Sequence, residues 1–140
     1  MQRLLGLTIY TFAASMISRS DLKYRIIRNR DLLLFCLASL SINCSELSVG
    51  DLRSLFIIAL LCVSLGLLFQ GKIGSGDLKL FWVISIWTSD FSEWLHGLAT
   101  AWILGGLFAM VLVILNLGHK QKKMSIPFAP FIFLGFLPVI

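Results

Sequence analysis

Six apolar runs, separated by short polar segments, occupy most of this 140-residue sequence. They cover residues 4–18, 32–42, 55–69, 80–88, 94–117 and 126–140. Only 14% of the residues are charged, against about 25% in an ordinary soluble domain, which is too little charge to coat a water-soluble globule of this size. The pattern predicts an all-α, polytopic membrane protein, a bundle of about six transmembrane helices that forms one domain over residues 1–140.

The ends of the chain carry the least regular runs. The first run follows Arg3 and contains the small residues Ala13 and Ser15, which is also the pattern of a cleaved signal peptide. Five basic residues follow that run, and this bias favours a retained helix whose C-terminal end is cytoplasmic. The last run contains three prolines, which a membrane helix tolerates when neighbouring helices satisfy the freed carbonyls. They are Pro127, Pro130 and Pro138.

The positive charges alternate along the chain. Ten of the twelve basic residues lie in the first, third and fifth loops. They are Arg19, Lys23, Arg25, Arg28, Arg30, Lys72, Lys79, Lys120, Lys122 and Lys123. The second and fourth loops carry only Arg53. The positive-inside rule then places the first, third and fifth loops in the cytoplasm and both termini outside. Since membrane orientation accounts for the net charge of +5, we expect membrane lipids and no nucleic acid as partners.

An acid follows two glycines in the third loop, at residues 73–80, IGSGDLKL. Asp77 stands next to Gly74 and Gly76, and glycine tends to mark a special backbone conformation or the close approach of another segment. A structural role is also open, because Ser75, Gly76 or Asp77 could cap the following helix and Lys79 could neutralise the acid. The spacing excludes a phosphate-binding loop, which ends in GK[ST].

A second acid, Asp21, lies between apolar runs in the segment 18–31, SRSDLKYRIIRNRD. Its structural alternative is a local helix cap with Arg25 as a surface ion pair four residues on. The charge alternation places Asp21 and Asp77 on the same membrane face. If their carboxyls meet, they share a proton. The ionised acid can then take a proton from a water that attacks a peptide carbonyl, while the protonated acid hydrogen-bonds the carbonyl oxygen and later helps to protonate the departing amine.

Other chemistry finds little support in the residue pattern. His96 and His119 are isolated, and no serine lies in a GxSxG motif. The cysteines, Cys36, Cys44 and Cys62, form no CxxC pair or zinc spacing. We therefore expect no metal and no cofactor, and interpret the cysteines as small apolar residues.

Three segments in order resemble the type IV prepilin leader peptidases, membrane aspartyl proteases of the GxGD type. Residues 21–29, DLKYRIIRN, are similar to the first-aspartate segment of that family. Residues 74–80, GSGDLKL, resemble its GxGDxKL segment, and residues 126–135, IPFAPFIFLG, its proline-rich C-terminal helix. Two positions depart from the pattern: Arg28 stands where a proline often precedes Asn29, and Ser75 stands where glycine is common.

The resemblance implies that Asp21 and Asp77 are the catalytic pair. It implies an aspartic endopeptidase of the bacterial inner membrane that removes the short basic leader of a prepilin or pseudopilin on the cytoplasmic side. Residues of the matching segments would shape the site and contact the substrate: Gly74, Gly76, Lys79, Arg25, Asn29, Pro127 and Pro130. Because CxxC pairs are lacking, the chain resembles the short branch of TadV/CpaA peptidases, and methyl transfer is not expected.

Two other functions remain open on the sequence. A small proton- or cation-coupled carrier could bind its ion at Asp21 and Asp77, although carriers usually place acids near the middle of the membrane. An inactive subunit of a pilus or secretion assembly could use the same fold. Lys23, Lys72 and Lys79 would not attract a basic leader; contact with lipid phosphate and orientation of the acids are both open roles for them. The pattern does not indicate which pilin is cut or the oligomeric state.

Overall fold

The computed structural model describes residues 2–43, 48–69, 73–115 and 126–139. These residues form six α-helices and no strand, which confirms the all-α fold. In chain order they are α1 (Gln2–Tyr24), α2 (Asn29–Asn43), α3 (Val49–Leu68), α4 (Ser75–Ile84), α5 (Phe91–Leu115) and α6 (Ala129–Phe136). A 3₁₀ turn extends α4 over Ser85–Trp87, and another follows α6 over Leu137–Val139. Lys72, Cys44 and His119 lie outside the described residues.

Within the described part of the chain, two helices are long and apolar enough to cross a membrane, α3 and α5. Only 11% of the most apolar stretch of each is buried inside the molecule, so both helices direct large apolar side chains outward. Leu60 and Val63 on α3 and Ile103 and Val113 on α5 are each more than half exposed. An apolar surface of this extent indicates a lipid environment, and the chain is therefore a helical membrane protein.

The shorter helices differ from six equal spans. Helices α2, α4 and α6 contain 15, 10 and 8 residues, whereas a crossing needs about 20. The prediction of one proline-containing helix over residues 126–140 is wrong, because Pro127 precedes α6 and Pro138 follows it. Pro130 lies in the first turn of α6, where the missing N–H would lack an intrahelical partner anyway. No carbonyl is therefore freed inside the helix.

Small residues hold α6 against α5. Gly97, Ala101 and Gly105 are buried at a spacing of four residues on α5, which places them on one face of the helix. A Cβ on Gly97 would overlap the ring of Phe136, and one on Gly105 would overlap the ring of Phe128. At the neighbouring position, by contrast, a Cβ on Gly106 would have no atom within 4 Å. Gly106 lies on the open side of α5.

Buried polar groups tie the other helices together. The Tyr10 hydroxyl of α1 donates to the Phe133 carbonyl of α6 at 2.7 Å. Trp94 of α5 is fully buried and donates its Nε1–H to the Phe81 carbonyl of α4 at 3.0 Å. In an apolar surrounding such groups are costly unless they are hydrogen-bonded. These bonds fix the depth of each helix relative to its neighbour.

One end of the bundle gathers the predicted functional segments. There α1 ends, and α2, α4 and α6 begin. Contacts between these segments are shown by an Asp21–Ala129 hydrogen bond and a Lys79–Asn29 hydrogen bond. The candidate site lies at this junction.

Candidate active site

Asp21 lies in the last turn of α1 and is only 6% exposed. The helix ends because Arg25 adopts a left-handed backbone with φ of 54°, the conformation that commonly terminates helices. Its N–H still donates to the Asp21 carbonyl at 2.8 Å, and the Ser20 hydroxyl donates to the Ile26 carbonyl at 3.2 Å. The chain thus turns back sharply after α1, and Asp21 points into the bundle rather than into a surface loop.

The Asp21 carboxylate caps a distant helix. Its Oδ2 accepts a buried hydrogen bond of 2.9 Å from the backbone N–H of Ala129, the first residue of α6. The next residue, Pro130, has no N–H, and Phe131 donates to the Phe128 carbonyl. The Asp21 carboxylate thus reaches a partner 108 residues away in sequence. A carboxylate is unfavourable at the C-terminal end of α1 and favourable at the N-terminal end of α6, so α6 stabilises the charge.

Asp77 lies in the first turn of α4, ahead of the apolar run and outside the two long apolar helices. The residue that caps α4 is Gly74, without a side-chain hydrogen bond, so the suggested cap by Ser75, Gly76 or Asp77 is wrong. The Asp77 carboxyl folds back over Gly74: a Cβ there would lie 2.8 Å from Asp77 Oδ2. Any other residue at position 74 would push this carboxyl away.

Burial and a like charge act together on Asp77. Burial disfavours the ionised form and raises the pKa of Asp77, and the negative charge of Asp21 raises it further, from an ordinary 3.8 to about 6. Asp21 and Asp77 are 56 residues apart in sequence, but their carboxyls lie within electrostatic reach of one another. At neutral pH this arrangement allows one acid to be ionised and the other to hold a proton for part of the time.

Gly76 marks the contact between the two acid-bearing segments. A Cβ on Gly76 would lie 2.9 Å from the Cβ of Ile27, in the turn that follows α1. Only the bare backbone lets this turn approach the start of α4. We expected the glycines to leave backbone open for a substrate strand; instead Ile27 occupies the space beside Gly76, and the Asp77 carboxyl occupies the space beside Gly74.

Lys79 and Asn29, two residues of the matching segments, contact each other. The Lys79 ammonium donates to Asn29 Oδ1 at 3.0 Å and links the start of α4 to the start of α2. Lys23 and Arg28 lie over the ring of Tyr24, 5.2 and 5.3 Å from its centroid. Pro127, directly before the N-cap residue of α6, is partly buried.

An apolar cavity of about 270 Å³ adjoins Asp77. Its walls come from α3, α4, α5 and the segment before α6: Cys62, Leu65, Ile73, Gly74, Leu78, Phe81, Trp94, Leu98, Trp102, Ile126 and Phe128. Asp77 is the one ionisable carboxyl among these residues. An acid at one end of an apolar cavity can hold a polar group of a ligand whose adjoining part is hydrophobic.

Sequence reasoning missed the residues that complete this geometry. Ala129 acts through its backbone N–H and Ile27 through its bulk, so neither has a chemical signature of its own. Trp94 and Trp102 line the cavity from α5, and no motif of the sequence marks either of them. A detectable signal was the four-residue spacing of Gly97, Ala101 and Gly105, which is typical of close helix packing.

A comparison with protein families decides the assignment. The model of the type IV leader peptidase family matches residues 8–119, four fifths of the chain. The chain belongs to the type IV leader peptidase family. The match includes both Asp21 and Asp77 and ends before α6. Neither the curated proteins nor the solved structures contain a significant match. As a member of this family, the protein is a membrane-associated leader peptidase.

Proposed function

We propose that this peptidase is an aspartic endopeptidase that uses Asp21 and Asp77 to remove the short basic leader of a prepilin or pseudopilin. The observation that carries the proposal is the position of Asp77, which is buried in the bundle and lies within electrostatic reach of Asp21; both effects raise its pKa, burial more than the charge of Asp21. The approach of Ile27 to Gly76 supports it, because this contact joins the segments that carry the acids. The chain would work without methyl transfer, like the short branch that it resembles.

The two acids have different surroundings, and these suggest different roles. Asp21 Oδ2 accepts a hydrogen bond from the backbone N–H of Ala129 at the start of α6, where a negative charge is favoured, so Asp21 is suited to remove a proton from water. Asp77, whose pKa is raised to about 6, is suited to donate a proton to the scissile carbonyl oxygen. The water oxygen attacks the carbonyl carbon, and a tetrahedral intermediate forms. Asp21, now protonated, gives its proton to the leaving amine as the peptide bond breaks, and Asp77 takes a proton back from a hydroxyl of the intermediate.

The position of the two acids at one end of the bundle also suggests the membrane face at which the site lies. The helix ends that carry the acids, together with the turn after α1, contain most of the described basic residues. We therefore place the site at the cytoplasmic face of a bacterial inner membrane. A leader that ends where an apolar helix begins would present its scissile bond at this depth. The six crossings and the cytoplasmic face can be tested by cysteine labelling from each side of the membrane.

The decisive experiment is co-expression with a candidate prepilin, followed by measurement of its size. The wild-type protein should shorten the substrate, and Asp21→Asn and Asp77→Asn should each abolish cleavage while the protein stays in the membrane. As a matched control, Asp90→Asn changes an exposed acid in the turn before α5 and should leave cleavage intact. Full cleavage by either dyad variant would reject the proposal, and acid-dependent ion flux without cleavage would favour a carrier.

A further inference from the structure

The cavity beside Asp77 lies between the two long apolar helices. Helix α3 packs against α4, and α5 packs against α6, so α3 and α5 stand on opposite sides of the cavity. Cys62 and Leu65 line it from α3, and Leu98 and Trp102 line it from α5. These helices direct most of their apolar surface outward, so the cavity is lined on two sides by helices with lipid-compatible surfaces.

The cavity has an apolar floor, an aromatic rim and one polar end. Trp94 and Cys62 at the floor are 0% and 7% exposed, whereas Trp102 is 49% exposed and marks the opening. Asp77 and the Gly74 backbone form the polar end. An apolar cavity of about 150 Å³ is enough to hold benzene. The volume of about 270 Å³ here therefore accommodates one large aliphatic or aromatic side chain.

We propose that this cavity binds a large apolar side chain of the substrate, on the membrane-embedded side of the scissile bond. The inference rests on the proposed function, because Asp77 must hold the peptide bond that is cut. Adjacent residues of an extended chain are about 3.5 Å apart, so a bond held at Asp77 places the next side chains at the cavity. The substrate enters sideways from the lipid between α3 and α5, and its polar leader remains on the side of the acids.

A substrate series crossed with a filled cavity tests this assignment. The substrates carry Phe, Leu or Ala directly after the scissile bond, and the enzymes are wild type, Cys62→Trp and Val63→Trp. Cys62 is buried in the cavity wall, whereas the adjacent Val63 is 62% exposed on the same helix. We expect Cys62→Trp to lower kcat/KM at least tenfold more for the Phe substrate than for the Ala substrate. Val63→Trp should preserve the wild-type ratio.

Disulfide trapping provides a second measurement that does not require the Cys62→Trp variant to fold. An Asp77→Asn enzyme that retains Cys62 is mixed with a substrate carrying cysteine directly after the scissile bond. Copper phenanthroline is added as the oxidant and accepts the two electrons that the thiols lose. A covalent complex that disappears in the Cys62→Ser version supports the proposal. Its formation at Cys36, which lies on α2, in place of Cys62 would overturn it.

The results of these experiments distinguish a failure of the cavity proposal from a failure of the proposed peptidase activity. If the wild type cleaves prepilins and Cys62→Trp shows the same Phe-to-Ala ratio as the wild type, the cavity proposal is rejected and the peptidase dyad stands. If a lipid or detergent chain occupies the cavity during turnover without affecting substrate choice, the cavity proposal is likewise rejected. If the wild type cleaves no leader at all, both proposals are rejected.

Discussion

Asp21 Oδ2 accepts a hydrogen bond of 2.9 Å from the backbone N–H of Ala129, and this contact joins the end of α1 to the start of α6. The bond is buried, and the donor lies at a helix N-terminus, where a negative charge is favoured. The same carboxylate is a proposed catalytic group. Asp21 therefore serves the fold as well as the proposed chemistry, and its substitutions should separate these two contributions.

We expect Asp21→Ala to destabilise the protein and Asp21→Asn to preserve most of its stability. Alanine removes the acceptor and leaves the Ala129 N–H buried without a partner, which costs about 1–3 kcal/mol. Asparagine keeps a side-chain oxygen that can accept the same bond. Both variants should lack peptidase activity. Denaturant unfolding in mixed micelles measures the difference, and equal stability of the two variants would show that the hydrogen bond is unimportant for folding.

The pH dependence of cleavage should report the Asp77 proton. The proposed mechanism needs this proton, and the pKa of Asp77 is raised to about 6 by burial and by the charge of Asp21. Activity should therefore fall as the pH rises through about 6, by up to tenfold for each further pH unit. A pH–rate profile from 5 to 8.5 with a single prepilin substrate checks this. A rate that stays constant to pH 8.5 would mean that Asp77 is not the proton donor.

Asp77→Asn should stabilise the protein at alkaline pH. The folded-state pKa of about 6 lies above the ordinary 3.8, so the folded protein binds this proton more tightly than the unfolded chain does. The resulting stability is present below about pH 4 and is lost as the pH rises through about 6. The variant should exceed the wild type by at most about 3 kcal/mol at pH 8 and show no gain at pH 4. Unfolding measured at both values tests the sign.

Gly76→Ala should weaken both activity and stability, and Gly106→Ala should not. The new Cβ at position 76 would lie 2.9 Å from the Ile27 Cβ, whereas one at position 106 would have no atom within 4 Å. Forcing extra atoms into a packed contact costs about 1–3 kcal/mol, and alanine in an exposed helix interior gains up to about 1 kcal/mol over glycine.

We would measure the cleavage rate and the free energy of unfolding of Gly76→Ala and Gly106→Ala. An Ile27→Gly/Gly76→Ala double variant is measured in the same way. Since the clash involves the Ile27 Cβ itself, removing that atom should restore part of the lost activity. A Gly76→Ala protein that matches the wild type would show that the turn after α1 can move away without harm to the site.

The apolar pattern was sufficient to predict the number of helices, their order and the position of both acids at helix ends. It was not sufficient for α6, because three prolines in one apolar run do not reveal which of them flank a helix. The contacts of Asp21 and Gly76 could not be predicted from the sequence either, since the partner of each lies on another segment and acts through a backbone N–H or a side-chain Cβ. The six crossings, the cytoplasmic face and the catalytic roles stay predictions.

Gly135→Ala should be the most damaging single-methyl change in α6. The added Cβ would lie 2.7 Å from the Ala101 nitrogen and 2.7 Å from the Gly97 carbonyl oxygen. Both atoms belong to the α5 backbone, so no side chain can rotate away, and α6 must move as a unit. Its displacement would carry Ala129 away from Asp21. We expect a loss of about 2–3 kcal/mol in stability and at least a tenfold loss of cleavage. Leu134→Ala, at the adjacent position that is 54% exposed, is the control for the measurements of stability and of cleavage. Equal behaviour of the two variants would argue that α6 does not hold Asp21 in place.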